Sequence, residues 1–115
     1  IVDDLLVYRL EETTYLLVVN ASNIQKDWDW IEKHNEFGAK MEDISDSTTL
    51  LAVQGPKAKD VLSKITDIDV ENMKYYTFNK GIVAGQDNVL VSATGYTGAG
   101  GFEIYLRNDG AENLW

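Results

Sequence analysis

Apolar and polar positions divide the chain into short, regularly punctuated runs. IVDDLLVYRL (residues 1–10) and TYLLVVNA (14–21) are rich in strand-forming residues and are separated by the polar EETT, a pattern that predicts an antiparallel strand pair. Ser22 followed three residues later by Gln25 has the spacing of a capping box, and Ile24, Trp28 and Ile31 then recur at i, i+4 and i+7, which predicts a helix closed by Gly38. AKMEDIS (39–45) and STTLLAVQG (47–55) read as strands. Gly55 and Pro56 open a second predicted helix, KAKDVLSKI (57–65), with Ala58, Val61, Leu62 and Ile65 on one stripe. YYTFNKGIVAG (75–85), NVLVSAT (88–94) and GFEIYLR (101–107) predict further strands split by Gly, Asn and Asp, and DGAENLW (109–115) looks like the start of another helix. Strands returning through short turns, with two principal helices between groups of them, give an α+β fold with a mainly antiparallel β-sheet covered on one face, read as one domain over residues 1–115.

Composition narrows the function classes. At 115 residues with 44% hydrophobic content the chain can bury a modest core. The formal net charge is −9, and the ten Lys and Arg form no basic stripe, which argues against a nucleic-acid partner. With no cysteine there is no disulfide, thiolate zinc site or Cys nucleophile. No apolar run approaches the roughly 20 residues of a membrane span, so no membrane partner is expected. A start at Ile1 without Met and an end inside a helical pattern read as a piece of a longer protein. His34 is the one histidine and lacks companions at metal-ligand spacing, and a Ser–His–Asp set cannot be argued around it.

Candidate chemistry is concentrated in a few places. Asp3 and Asp4 stand within an apolar run; strand alternation would send one carboxylate to a covered face and the other away, the alternative being a strand start still in solvent. Asn20 lies at a strand-to-helix junction, where it either satisfies backbone groups or contributes to a site. Tyr8, Tyr75, Tyr76, Tyr96 and Tyr105 suit either half-buried packing or the flat walls of a planar-ligand cleft. The glycines of TGYTGAGGFEIYL (94–106) precede a strand rather than a helix and no Lys follows them, so they do not make a phosphate cradle. Their use is a supple turn that lets backbone approach a ligand while the following strand holds Glu103 rigidly.

IVDDLLVYRL, VVNASNIQKDWDWI, LLAVQGPKA and TGYTGAGGFEIYL, in this order and spacing, resemble the T-protein family of the glycine cleavage system, the tetrahydrofolate-dependent aminomethyltransferases, from end to end of the chain. The resemblance implies the ferredoxin-like-type folate-binding domain of that family. It also implies a reaction in which an aminomethyl group on the lipoyl arm of the H-protein passes to tetrahydrofolate, releasing ammonia and giving methylenetetrahydrofolate. By residue-by-residue transfer it places the catalytic carboxylate at Asp4, with Asp3 on the opposite face. The pterin-binding carboxylate falls at Glu103, and Asn20, Tyr76, Tyr96 and Tyr8 line the folate cleft. The family usually reads S-R-T-G-Y-T-G-E-D-G-F-E, whereas this chain has Ala93 for the Arg and Ala99–Gly100 for the acidic pair. The family's downstream folate-site arginine and C-terminal domain are not in these 115 residues, so the chain alone is expected to have weak or no transferase activity. A competing reading is a folate-binding module of a related one-carbon or iron–sulfur-assembly protein without aminomethyl transfer. The implied location is the bacterial cytoplasm, or the mitochondrial matrix for a eukaryotic source.

Overall fold

The computed structural model describes residues 1–115, in two compact units, Ile1–Glu42 and Asp43–Trp115. In the first, β1 (Leu6–Arg9) and β2 (Tyr15–Val18) pair antiparallel, Leu6 opposite Val18 and Arg9 opposite Tyr15. The polar connection closes through the Leu10 N–H donating to the Thr14 carbonyl at 2.9 Å and Arg9 Nη2 to the Glu12 carbonyl at 3.1 Å. A 3-10 turn over Ala21–Asn23 leads into α1 (Ile24–Lys33).

The predicted apolar face of α1 is present, since Ile24, Trp28 and Ile31 are all half-buried, but a buried acid, Asp27, shares it. The capping box is not formed: neither Asn20 nor Asn23 caps with its side chain, and Gln25 Nε2 donates instead to Asp29 Oδ1 at 2.7 Å. The residues with capping chemistry are engaged elsewhere, as the site geometry shows. The helix also stops at Lys33, five residues before Gly38. His34 donates its N–H to the Trp30 and Ile31 carbonyls and stacks on Trp30 at 4.1 Å, and Asn35 closes the following turn against both backbone groups of Ala39.

The second unit is a four-stranded antiparallel sheet in the order β3 (Thr48–Gln54), β6 (Gly101–Arg107), β5 (Gln86–Ser92), β4 (Phe78–Val83), with α2 (Ala58–Leu62) and α3 (Asn108–Leu114). The α+β architecture with antiparallel strands is thus as the pattern predicts. AKMEDIS is not a strand: the Asp43 carboxylate accepts from the N–H (2.9 Å) and hydroxyl (2.5 Å) of Ser45, a local turn that competes with a ladder. Those same bonds, the hydroxyl's first, hold the Asp43 pKa below the usual aspartate value. The second helix is shorter than predicted, with Ala58 and Leu62 buried but Val61 and Ile65 exposed, so its stripe covers the sheet for little more than one turn.

Alternation along the two central strands builds the core. Val89, Val91 and Ala93 from one, and Phe102, Ile104 and Leu106 from the other, point to the face occupied by Ala58 and Leu62. The intervening residues point to the other face, where Ala52, Glu103, Ser92 and Phe78 form one cross-strand row and Leu50, Tyr105, Leu90 and Lys80 the next. Glu103 therefore stands on a central strand, paired on both sides, at the end nearest the glycine-rich turn.

Candidate functional site

In the first unit, Asp3 and Asp4 lie ahead of β1 rather than inside it. Without a ladder there is no alternation, and the two carboxyl groups converge instead of facing opposite ways. The Asn20 side-chain amide donates to Asp3 Oδ1 (3.0 Å), Asp4 Oδ1 (3.1 Å) and the Asp4 carbonyl (3.2 Å), its two hydrogens shared among three acceptors. Asn23 Nδ2 donates to Asp3 Oδ2 at 2.7 Å, and the Asp4 N–H to Asp3 Oδ1 at 2.9 Å. Lys26 Nζ donates to the Val2 carbonyl at 2.9 Å and stands 3.9 Å from Asp3 Oδ2 and 4.0 Å from Asp27 Oδ1. The Asn23 bond above all, with the Asp4 N–H and Asn20, pulls the Asp3 pKa down to about 2. Burial acts the other way on Asp27, whose carboxyl is raised above the ordinary aspartate value, with the neighbouring Asp3 adding to the effect. Asn20 and Asn23 thus spend their side chains on the aspartates, which is why neither caps the helix.

In the second unit, Glu103 accepts a hydrogen bond from the Thr94 hydroxyl, and the Thr94 and Ser92 hydroxyls, both buried, are hydrogen-bonded at 3.0 Å. The carboxylate is oriented by its own sheet and remains half-buried. The glycine-rich turn is clamped by Gln54, whose Nε2 donates to the Thr94 (3.2 Å) and Phe102 (3.0 Å) carbonyls while its Oε1 accepts from the Thr97 hydroxyl at 3.1 Å. Tyr75 ties a second turn to the same place, its hydroxyl donating to the Gly95 carbonyl at 2.8 Å and its ring meeting Tyr76 edge-on at 4.5 Å. Desolvation, then the neighbouring Tyr76 and Glu103, raise the Tyr75 phenol above its ordinary value. Tyr76 adopts a left-handed backbone (φ 63°) that bulky residues rarely occupy, held there by its N–H donating to the Ala93 carbonyl at 3.0 Å.

Residues 1–115 match the family model of the GCVT N-terminal domain. The chain belongs to that family. It is similar to the aminomethyltransferases of Flavobacterium psychrophilum (56% identical over 115 residues), Bacteroides thetaiotaomicron (59% over 115 residues) and Chloroherpeton thalassium (49% over 116 residues). Each comparison covers the whole of this chain and 32% of the relative, so the chain spans about a third of the length of these proteins. No helix of this GCVT N-terminal domain segment is long and apolar enough to cross a membrane.

Within the segment, the structure brings Asp3, Asp4 and Asn20 together in the first unit, and places Tyr76 beside Tyr75 and the glycine-rich turn in the second. Tyr8 is buried on β1, opposite Leu16, and Tyr96 is fully exposed at the tip of the turn. A 270 Å³ hollow lined by Asp69, Asn72, Met73, Lys74, Thr77 and Asn79 includes none of the predicted site residues. Ala93, where the resemblance expects Arg, is buried in the core, whereas Ala99 and Gly100 are exposed, Gly100 with φ +74°. Residue patterns alone missed Asn23, Asp27, Thr94 and Gln54. Only Asp27 left a legible signal, an acid on the predicted apolar stripe three residues after Ile24.

Proposed function

We propose that the full-length protein containing this chain is a tetrahydrofolate-dependent aminomethyltransferase of the glycine cleavage system, taking the aminomethyl group from a lipoylated H-protein and acting in the bacterial cytoplasm. The observation that carries the reading is the end-to-end similarity to proteins named aminomethyltransferase. The local chemistry suits it. Glu103 offers a rigidly mounted carboxylate, and a pterin presents adjacent amino and ring N–H donors, so a charge-assisted two-point contact is available. Tyr76 and Tyr96 supply exposed aromatic faces for a flat heterocycle. Asn20 and Tyr8, in the first unit, are proposed as folate contacts on the family resemblance alone.

Tetrahydrofolate, when bound, supplies the nitrogen nucleophiles that receive the one-carbon unit. The chain's own contribution at the reacting end is a carboxylate beside those nitrogens as their charge changes, assigned to Asp4. One oxygen of Asp4 is held by Asn20 and its side chain is exposed, so it is accessible to a proton. A second assignment, to Asp3, is favoured by one observation: Asp3 is the carboxylate fixed by Asn20, Asn23 and the Asp4 N–H, a preorganised anion suited to stabilising positive charge.

The binding half is tested by Glu103→Ala in the full-length protein. Loss of a charge-assisted two-point contact should weaken reduced-folate affinity by about 10- to 100-fold in a fluorescence titration, from roughly 1.5–3 kcal/mol of such hydrogen bonding. Unchanged affinity removes Glu103 from the site. Thr94→Val, which keeps shape but deletes the hydroxyl on Glu103, should weaken affinity by a smaller factor, about 3- to 10-fold, by freeing that carboxylate. The same titration with Thr94→Ser, which retains the hydroxyl, should stay near wild type.

A further inference from the structure

Asp27 is 3% exposed, yet neither of its carboxylate oxygens accepts a hydrogen bond from any donor of the chain. A buried carboxylate in that state is costly, and the usual relief is to keep a proton. A neutral acid is then itself a donor and needs an acceptor. Asp3 shares its neighbourhood: Lys26 Nζ stands 3.9 Å from Asp3 Oδ2 and 4.0 Å from Asp27 Oδ1, and the Asp3 side chain is only 11% exposed. Helix geometry explains the approach: Asn23 and Asp27 lie one turn apart at i and i+4, so the residue donating to Asp3 Oδ2 at 2.7 Å and the unpartnered acid face the same carboxyl group. The charged groups facing Asp27 are Asp3, from the segment before β1, and Lys26, from its own helix. Lys26 Nζ is no closer than 4.0 Å to it and already donates to the Val2 carbonyl, so it does not replace the missing hydrogen bond.

We propose that Asp27 is a positioning residue for the aspartate pair: its buried carboxyl keeps a proton and donates it in a hydrogen bond to the Asp3 carboxylate, so that the two acids hold one proton between them. Asp3 stays anionic and is oriented from the protein side by Asp27, Asn20 and Asn23, and the Asp3–Asp4 backbone is thereby fixed. Raising the pH until Asp27 ionises places two negative charges side by side and loosens this arrangement.

The sign of the pH effect is fixed by the directions of the two shifts. Asp27 has a folded-state affinity for its proton above that of the unfolded chain, so its stabilisation is present at low pH and is lost as pH rises through the folded value. Asp3, lowered to about 2, contributes stabilisation that is present above its ordinary value of 3.8 and is lost as pH falls toward 2.

The test is a carboxyl ¹³C NMR titration of the full-length wild-type protein, with unfolding midpoints measured across pH for wild type and Asp27→Asn. The expected result is that the Asp27 carboxyl titrates above 3.8 and Asp3 below it. Wild type should also lose stability on the alkaline side of the Asp27 transition, and Asp27→Asn, which keeps an amide donor at every pH, should lack that loss. An Asp27 carboxyl that titrates at or below 3.8 overturns the proposal, as do parallel stability curves for the two proteins. The positioning role rests on the functional reading above only in placing the aspartates at the reacting end. A protein that transfers no aminomethyl group therefore defeats that reading with the proton pair intact, whereas an ordinary Asp27 titration defeats the pair with transfer intact.

Discussion

Asp4→Asn in the full-length protein should lower aminomethyl transfer to tetrahydrofolate by about 100-fold or more, the scale set by loss of a positioned acid–base group. Folate affinity should move little, because the proposed binding contacts belong to Glu103, the tyrosines and Asn20, and Asn20 keeps its bonds to Asp3 Oδ1 and the Asp4 carbonyl. The structure makes the substitution a mild one for folding: Asp4 is exposed, and its backbone carbonyl would still accept from Asn20. Asp3→Asn is the necessary companion. It replaces an oxygen that accepts hydrogen bonds by an amide that donates, facing Asn20, Asn23 and Lys26, all of which donate, so it disrupts the network as well as removing charge. Single-turnover rates of the two variants, measured with an aminomethylated H-protein, decide between the two assignments. A transfer rate near wild type in Asp4→Asn, with a large loss in Asp3→Asn and folate affinity intact, moves the catalytic role to Asp3.

The strands and the motif-bearing turn were legible because they are written in local pattern. Alternation in VLVSA and GFEIYL assigns Val89, Val91, Ala93, Phe102, Ile104 and Leu106 to one face without any tertiary information, and those residues are six of the ten in the buried core. What failed to read were features in which a side chain serves a distant partner. Ser22 and Gln25 have capping-box spacing, but a 3-10 turn, with the Asn23 N–H donating to the Asn20 carbonyl at 2.8 Å, occupies the positions where the cap would sit. Asn20 and Asn23 are drawn to aspartates 16 to 20 residues away. The opposite facing expected of Asp3 and Asp4 assumed a strand that starts three residues later, at Leu6 in β1. Glu103 is singled out by its motif, yet Thr94 and Gln54, which hydrogen-bond it and clamp its turn, look in the sequence like an ordinary strand end and an ordinary polar residue before Gly-Pro. Their roles come from cross-strand register, Ser92 opposite Glu103 and Gln54 opposite Gly101, which no one-dimensional pattern states.

Gly101→Ala should cost about 3 to 5 kcal/mol of stability, combining a backbone that only glycine occupies readily with overpacking against a neighbouring strand. Gly101 has φ +140°, and a Cβ there would lie 2.4 Å from the Val53 carbonyl oxygen and 2.7 Å from Gln54 Cα. Both obstacles are backbone atoms of β3, and β3 cannot retreat without breaking its pairing with β6 and the Gly55 N–H bond to the Gly100 carbonyl at 2.8 Å. Gly98→Ala is the internal control. Its φ of +72° is also left-handed, but nothing lies within 4 Å of an added Cβ, so only the conformational term of about 1 to 2 kcal/mol applies. Denaturant midpoints of the full-length variants should therefore fall much further for Gly101→Ala than for Gly98→Ala. Because β6 carries Glu103 two residues beyond Gly101, the Gly101 variant should also lose folate affinity under conditions in which it remains folded. Equal, small shifts for the two alanines would mean that the turn closes without the tight approach of Gly101 to β3, and the rigid mounting of Glu103 would need another source.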